Sequence, residues 1–189
     1  MPKNINTKLT KLIKYYSLIN HNLIFNNKSI NRYNKKQPNI RKDKAQSLKK
    51  LREDIKNIKN CKLKDNASNL VFSDGNPDAK IMIIGEGPGA NEDKEGLPFV
   101  GRAGQLLDKM LNAINLNREK VYITNVVNYR PPENRKPTDI EVERYLPFLK
   151  KHIQIIKPKI ILLLGSTAMN AIFKNTDVIS KMRGKWHEF

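Results

Sequence analysis

Five consecutive residues, Gly85-Glu86-Gly87-Pro88-Gly89, have the clearest potential for chemistry in this sequence. They follow a short apolar run, and glycines at such a point let backbone N–H groups approach an anion. The segment is not a dinucleotide-binding fingerprint, and it is not a P-loop because no Gly-Lys-Ser/Thr follows it. On these residues alone, a loop of purely structural origin is the alternative interpretation.

Three arginines add a second kind of chemistry. Arg130 and Arg135 flank a stiff diproline, and Arg102 follows the glycine loop. A guanidinium group can bind two phosphate oxygens at once, so the three residues are candidate phosphate-binding side chains. Each of them alone could equally be an ordinary solvated surface residue.

Three strand–helix units are predicted to position these residues. The strands lie in KIMIIGEGPG, KVYITNVV and PKIILLLGSTAMNAIF, where short apolar runs meet glycine or a proline-rich loop. A helix over Gly104–Asn115 is indicated by a stripe of apolar residues, namely Leu106, Leu107, Met110, Leu111 and Ile114. Another helix starts at Thr138, which forms a capping box with Glu141.

This order of elements predicts an α/β fold, a three-layer α/β/α sandwich with a short, mostly parallel central sheet. Ligand sites in such folds lie at the carboxyl ends of the strands. The domain is expected over residues 43–189, opening with an amphipathic helix over 43–60. The final SKMRGKWHEF encodes no further strand, so a last strand of the sheet is expected to be missing.

Residues 1–42 are predicted to form a disordered, basic, low-complexity arm. Of the 36 Lys and Arg residues, 18 lie within residues 1–64, where only three acids occur. A basic arm suggests contact with a polyanion, because Lys and Arg neutralise phosphates. The alternative is a compositional bias, since Asn, Lys and Ile are frequent along the whole chain.

The sequence contains no apolar run of 18 or more residues, so no membrane partner is expected. Cys61 is the only cysteine, which excludes an intramolecular disulfide and fits a reducing, cytoplasmic location.

Several motifs, taken in order, resemble a known family. GEGPGANED is followed by GLPFVGRAGQLL, then by YITNVVNYRPPENRKPT, LPFL and PKIILLLG. They are similar to motifs of the iron–sulfur (family 4) uracil-DNA glycosylases of the uracil-DNA glycosylase superfamily, over roughly Asp43–Phe189. The resemblance implies a hydrolase that starts base excision repair by cleaving the N-glycosidic bond of deoxyuridine in DNA, with the base flipped out of the helix.

The resemblance also assigns roles within the site. Phe99 matches the position whose ring stacks on uracil, and Asn125 matches the position whose amide pairs with the base. The glycine loop matches the motif that wraps the base, and Glu86 is expected nearest the reaction, although Glu92 and Asp93 share its loop. Without the motifs, Phe99 would be an ordinary core residue and Asn125 a buried amide that satisfies backbone groups.

Two departures from the family pattern are expected to matter. The family binds a [4Fe–4S] cluster through four cysteines, and three of those positions are Ile58, Tyr129 and Tyr145 here, with only Cys61 retained. We therefore expect no cluster and no metal, because neither Ile nor an ordinary Tyr replaces a thiolate. The family also continues into a His-Pro-Ser segment that contacts uracil and DNA, and the context of His187 does not match it.

Two hypotheses follow. The first is a uracil-DNA glycosylase whose partner is uracil-containing DNA, with activity reduced by the missing segment. A separately encoded C-terminal polypeptide would be a second partner in this case. The alternative is an inactive or split remnant of the family that at most binds uracil or DNA.

Overall fold

The computed structural model describes residues 40–174 and 178–188, together with Thr10, Lys11 and Lys14. The expected basic arm, residues 1–42, lies almost entirely outside the described residues. Contacts divide the chain into two units, residues 1–37 and 38–189, and the architecture that follows is that of the second unit.

The described part of this unit contains four strands and seven α-helices. The strands are β1 (Asp74–Gly75), β2 (Ile81–Gly85), β3 (Val121–Asn125) and β4 (Ile160–Leu163). The helices are α1 (Ile40–Lys56), α2 (Lys62–Asn66), α3 (Ala90–Glu95), α4 (Arg102–Ala113), α5 (Asp139–Ile156), α6 (Ser166–Phe173) and α7 (Ile179–Met182). Short 3₁₀ turns, Arg118–Lys120 and Pro132–Asn134, precede and follow β3.

The strands form one sheet in the order β1-β3-β2-β4. Strand β2 pairs in parallel with β3 on one side and with β4 on the other, which confirms the predicted α/β class. Strand β1 was not predicted, because its two residues lie in a stretch that reads as turns; it pairs antiparallel with β3. Gly75 is required there, since it has φ +88° and a Cβ would lie 2.2 Å from the carbonyl oxygen of Val121.

Helices cover both faces of the sheet. On one face, α1, α5 and α6 bury Leu51, Ile55, Tyr145, Leu149 and Ala168 in a shared core. On the other face, α4 packs Leu107 and Leu111 against Ile83, Val121 and Ile123. The result is the three-layer arrangement expected from the sequence, and α1 begins three residues earlier than the helix predicted over 43–60.

The apolar stripe of α4 is narrower than its sequence suggests. Gly104, Leu107 and Leu111 are buried, but Leu106, Met110 and Ile114 are each more than half exposed. Leu106 and Met110 each precede a buried residue by one position, which turns them about 100° away from the sheet. The prediction that all five residues pack on the sheet was therefore wrong for three of them.

The capping box at the start of α5 is confirmed. The hydroxyl of Thr138 accepts a hydrogen bond from the N–H of Glu141 at 3.3 Å, and the Glu141 carboxylate accepts one from the N–H of Thr138 at 2.8 Å. This helix runs from the carboxyl edge of the sheet, where β3 ends, back toward the start of β4.

Strand β4 is an edge strand within the described part of the chain, and Leu162 on it is 37% exposed. None of the described helices combines the length and the apolar character that a membrane span needs.

Candidate active site

The register of the parallel strands creates the centre of the site. Gly85, the last residue of β2, lies beside Asn125, the last residue of β3. A Cβ at position 85 would lie 2.4 Å from the ring atom Cζ of Phe99 and 2.6 Å from Oδ1 of Asn125. Glycine at the end of β2 thus lets an aromatic ring and a carboxamide meet at one point on the carboxyl edge of the sheet.

The Asn125 side chain is buried and has an unused acceptor. Asn125 is 3% exposed, and its Oδ1 has no hydrogen-bond partner among the described residues. A buried polar atom left without a partner costs about 1–3 kcal/mol. A ligand that donates a hydrogen bond to this oxygen would recover that free energy.

Phe99 forms one wall of the site. Its half-buried ring lies over Gly85, and its backbone has φ +56°, a left-handed conformation that is uncommon for a bulky residue. Gly104 in α4 makes room for it, because a Cβ at position 104 would lie 1.7 Å from the carbonyl oxygen of Phe99.

The three acidic residues of the loop have different hydrogen-bond partners. Glu92 accepts hydrogen bonds from the N–H groups of Gly89 (3.1 Å), Val100 (3.0 Å) and Gly101 (2.7 Å). Its carboxylate therefore joins the glycine loop to the loop that carries Phe99. The sequence did not indicate this role, because the partners are three to nine residues away and are backbone groups.

Asp93 is a structural residue. It is 4% exposed, and its carboxylate accepts hydrogen bonds from the N–H groups of Ser68 and Asn69, each at 3.0 Å. These bonds fix the segment before β1 against α3, and none of them reaches the glycine loop.

Glu86 differs from the other two acids. Its half-buried carboxylate accepts no backbone N–H within the part of the chain that the structure describes, and Oε2 is bonded by the hydroxyl of Thr167. Thr167 lies in the first turn of α6 and is 4% exposed. Of the three acids, Glu86 is thus the one held by a side chain rather than committed to the backbone.

The glycine loop, Phe99 and Asn125 border a pocket of about 410 Å³. Five of the residues predicted from the sequence line it, namely Gly87, Gly89, Phe99, Arg102 and Asn125. Gly85 lies beneath the ring of Phe99, and Glu86 and Pro88 belong to the same loop without lining the pocket. Asn134, which the sequence had not singled out, also lines it.

The three arginines have different surroundings. Arg102 is exposed at the first position of α4, on the wall of the pocket. Arg130 donates from Nε to Oδ1 of Asn134 at 2.8 Å, which places it next to the pocket rim. Arg135 is exposed and forms a two-point ion pair with Glu141 at 2.7 and 2.8 Å.

The ion pair between Arg135 and Glu141 shifts the pKa of both side chains. The hydrogen bond from Arg135, together with the bonds from Thr138, lowers the pKa of Glu141 to about 2 although partial burial opposes this. The bond to Glu141 in turn raises the pKa of Arg135. A phosphate bound by Arg135 would therefore have to compete with this carboxylate.

The four positions at which the resemblance implies cluster cysteines share one core cluster, and none of them lines the pocket. The Cys61 thiol lies 3.2 Å from the hydroxyl of Tyr145, and both residues are buried. Burial raises the pKa of Tyr145, and the neighbouring Cys61 raises it further. Tyr129 is buried beside them, Ile58 is partly buried in the same core, and no group of three potential metal ligands occurs among the described residues.

Comparison with known proteins places this geometry in a family. Residues 72–188 match the model of the uracil DNA glycosylase superfamily, an interval that contains the sheet, the glycine loop, Phe99 and Asn125. The chain therefore belongs to the uracil DNA glycosylase superfamily.

Within the superfamily the similarity is to type-4 enzymes. The chain is 48% identical to the type-4 uracil-DNA glycosylase of Sulfurisphaera tokodaii, over 74% of this chain and 66% of that protein. It is 47% identical to the type-4 uracil-DNA glycosylase of Thermotoga maritima, over 70% and 69%, and 43% identical to that of Archaeoglobus fulgidus, over 76% and 74%. The chain thus spans about two thirds to three quarters of the length of these relatives.

Proposed function

We propose that this protein is a uracil-DNA glycosylase that hydrolyses the N-glycosidic bond of deoxyuridine in DNA. Membership of the superfamily and high identity to type-4 enzymes support the reaction class. The observation that carries the proposal is the buried Oδ1 of Asn125, which has no hydrogen-bond partner among the described residues and lies in a pocket walled by an aromatic ring.

The Asn125 carboxamide has the hydrogen-bonding pattern that uracil needs. Its Oδ1 accepts from N3–H of uracil, and its Nδ2 donates to O4. Cytosine offers an acceptor at N3 and a donor at N4, so the same amide would face two mismatched groups. Recognition of uracil therefore satisfies an atom that is otherwise buried without a partner, whereas cytosine leaves it unsatisfied.

Phe99 supplies the second part of recognition. A base flipped out of the helix loses its stacking, at a cost of a few kcal/mol. Stacking of the uracil ring on Phe99, worth about 1–3 kcal/mol, offsets that cost. The position of the ring against Gly85, next to the Asn125 amide, supports this role.

The glycine loop and Glu86 are proposed to act on the reacting bond. As the C1′–N1 bond breaks, its electron pair passes to uracil, and the backbone N–H of Gly87, which lines the pocket, stabilises the departing anion. Glu86 orients the water whose oxygen attacks C1′ and offsets the positive charge that develops on the sugar. The proton that the water loses ends on the released uracil anion, which balances the step. The Thr167 hydroxyl holds the Glu86 carboxylate for this task.

DNA binding is assigned to Arg102, Arg130 and Arg135. The exposed position of Arg102 on the pocket wall and the contact of Arg130 with Asn134 at its rim support a role in holding phosphates on either side of the flipped nucleotide. Arg135 would join them by exchanging Glu141 for a phosphate. A DNA substrate and the single cysteine support the cytoplasmic location expected from the sequence.

We further propose that the protein functions without an iron–sulfur cluster. The resemblance to type-4 enzymes implies a [4Fe–4S] cluster, but the donors present are one thiol and two phenols, and the fourth position is Ile58. The contact between Cys61 and Tyr145 in a buried core supports packing in place of a cluster. We expect the purified protein to lack absorbance near 400 nm and to contain less than about 0.1 iron per chain; stoichiometric iron would contradict the proposal.

The proposed function is tested by incubating the purified chain with single- and double-stranded oligonucleotides that contain one deoxyuridine. Alkali-labile breaks at the uracil position are expected, and far fewer are expected with Phe99→Ala. A chain that yields no breaks at stoichiometric concentration would contradict the proposal. The expectation of a second partner is tested by adding a separately encoded polypeptide able to pair with the edge strand β4. Activity that appears only after this addition would support such a partner.

A further inference from the structure

The backbone conformation of Phe99 has to be maintained by its neighbours. Its φ of +56° is a left-handed conformation that is unfavourable for an L-residue with a bulky side chain. Residues keep such conformations only when the surrounding structure imposes them. Gly104 makes the conformation possible by leaving space for the Phe99 carbonyl, but an absent side chain exerts no restoring force.

Hydrogen bonds from Arg118 hold the backbone of Phe99 in this conformation. Its Nη1 donates to the carbonyl oxygen of Pro98 at 3.1 Å, and its Nη2 donates to the carbonyl oxygen of Phe99. These two carbonyls flank the left-handed residue on both sides. One planar guanidinium thus holds the two peptide groups that define the conformation of Phe99.

Two carboxylates hold the guanidinium in turn. Asp108 on α4 accepts from Nε at 2.8 Å and from Nη2 at 3.3 Å, and Asp74 on β1 accepts from Nη1 at 2.7 Å. All five N–H groups of Arg118 are therefore used. Burial lowers the pKa of Arg118, but the hydrogen bonds to Asp108 and Asp74 outweigh burial and raise it.

We propose that Arg118 is a positioning residue for base recognition, which fixes the Phe99 ring against Gly85 beside the Asn125 amide by holding the carbonyls of Pro98 and Phe99. The inference rests on the proposed function and extends it to a residue that lines no part of the pocket. A lysine retains the charge but has a single nitrogen, which cannot reach both carbonyls and both carboxylates at once.

A double-mutant cycle tests whether Arg118 acts through Phe99. The measured quantity is the ratio of Kd values for two oligonucleotides, one with thymidine and one with 2′-fluoro-2′-deoxyuridine, which resists hydrolysis. Arg118→Lys is expected to reduce the preference for uracil about tenfold in the otherwise unchanged protein and less than twofold in a Phe99→Ala background. Equal losses in the two backgrounds, or no loss in either, would overturn the proposal.

Arg144→Lys is the matched control. Arg144 also donates to two backbone carbonyls, those of Lys59 and Asn60, and none of these three residues lines the pocket. The control is expected to leave the preference for uracil unchanged. If Arg144→Lys reduces it as much as Arg118→Lys does, the effect is one of general stability and the proposal fails.

A second measurement does not depend on uracil recognition. In protein labelled with 4-fluorophenylalanine, the ¹⁹F resonance of Phe99 is assigned by its loss in Phe99→Leu. Arg118→Lys is expected to shift or broaden this resonance, whereas Arg144→Lys leaves it in place. An unchanged resonance in Arg118→Lys would overturn the positioning role, whereas failure of the unmutated protein to prefer uracil would count against the proposed function alone.

Discussion

The side chains around the pocket differ in how much of their bonding capacity the folded chain already uses. Glu92 and Asp93 are committed to backbone N–H groups, so they organise loops. Within the described residues, Oδ1 of Asn125 has no hydrogen-bond partner, and the Glu86 carboxylate is bonded by the Thr167 hydroxyl alone. A binding site requires polar groups whose hydrogen-bonding capacity is still available to a ligand. Base recognition is therefore assigned to Asn125 and the reacting carboxylate to Glu86.

Asn125→Asp tests the assignment of base recognition. The variant keeps the shape of the side chain but replaces the Nδ2 donor with a second acceptor, so the O4 atom of uracil faces an oxygen. We expect kcat/KM on uracil-containing DNA to fall about 10- to 100-fold, the loss produced by about 1.4–2.8 kcal/mol. A variant that retains at least half of the activity would show that the amide does not read the base.

Glu86→Gln tests the assignment of the reacting carboxylate. The amide keeps the contact with Thr167 but removes the negative charge beside the developing cation. We expect the single-turnover rate to fall about 100-fold with little change in Kd for uracil-containing DNA. Glu95→Gln, at an exposed position on α3, is the control and should change neither quantity. A parallel loss of affinity in Glu86→Gln would point to a binding role instead.

At the scale of elements, the parallel register of the strands and the N-terminal ends of the helices determine where the site lies. The last residues of β2 and β3 are adjacent, and α4 and α6 both begin at the same edge of the sheet. Helix α5 begins there as well, with Thr138 as its N-cap. The stability of these helix ends therefore determines how well the edge of the sheet is ordered.

Thr138→Ala tests the capping box of α5. The substitution removes the acceptor for the N–H of Glu141, and loss of an N-cap typically costs about 1 kcal/mol of unfolding free energy. Urea denaturation should show this loss. Ser47→Ala, which removes an exposed hydroxyl bonded to the Asp43 carbonyl within α1, should change the free energy by less than about 0.5 kcal/mol. Equal effects would mean that the cap has no special role.

Whether an element can be predicted from the sequence depends on how far apart along the chain its interacting residues lie. Strands β2, β3 and β4 are apolar runs next to glycine or proline, and the capping box spans four residues, so local patterns reveal them. Strand β1 has two residues and no pattern of its own. The contacts of Arg118 with Phe99 and of Thr167 with Glu86 join residues 19 and 81 positions apart, which no local spacing encodes.

At the scale of the whole molecule, one buried histidine couples stability to pH. His152 on α5 is 1% exposed; its Nδ1 lies 3.0 Å from the hydroxyl of Tyr122, and its Nε2 has no partner among the described residues. Burial lowers the pKa of His152 to about 3, from an ordinary value of 6.5. The folded protein therefore keeps this ring neutral where the unfolded chain protonates it.

The free energy of unfolding is expected to fall in acid because of His152. Below pH 6.5 the unfolded state binds a proton that the folded state does not, so the contribution of His152 to stability is complete above pH 6.5 and is lost as the pH falls toward 3. We expect a loss of up to about 1.4 kcal/mol per pH unit in this interval. His152→Leu should flatten the dependence in denaturant melts at pH 7, 6 and 5. An equally steep profile in the variant would assign acid sensitivity to other groups.

The most direct test of the proposed function is the amount of free uracil released from DNA. The purified, iron-free chain is incubated in excess with a duplex that contains one deoxyuridine, and free uracil is quantified by mass spectrometry beside the Asn125→Asp variant. The proposed pocket predicts release of up to one uracil per duplex, with a rate at least tenfold lower for the variant. No release by the unmutated chain, or equal rates of release by the two proteins, would contradict it.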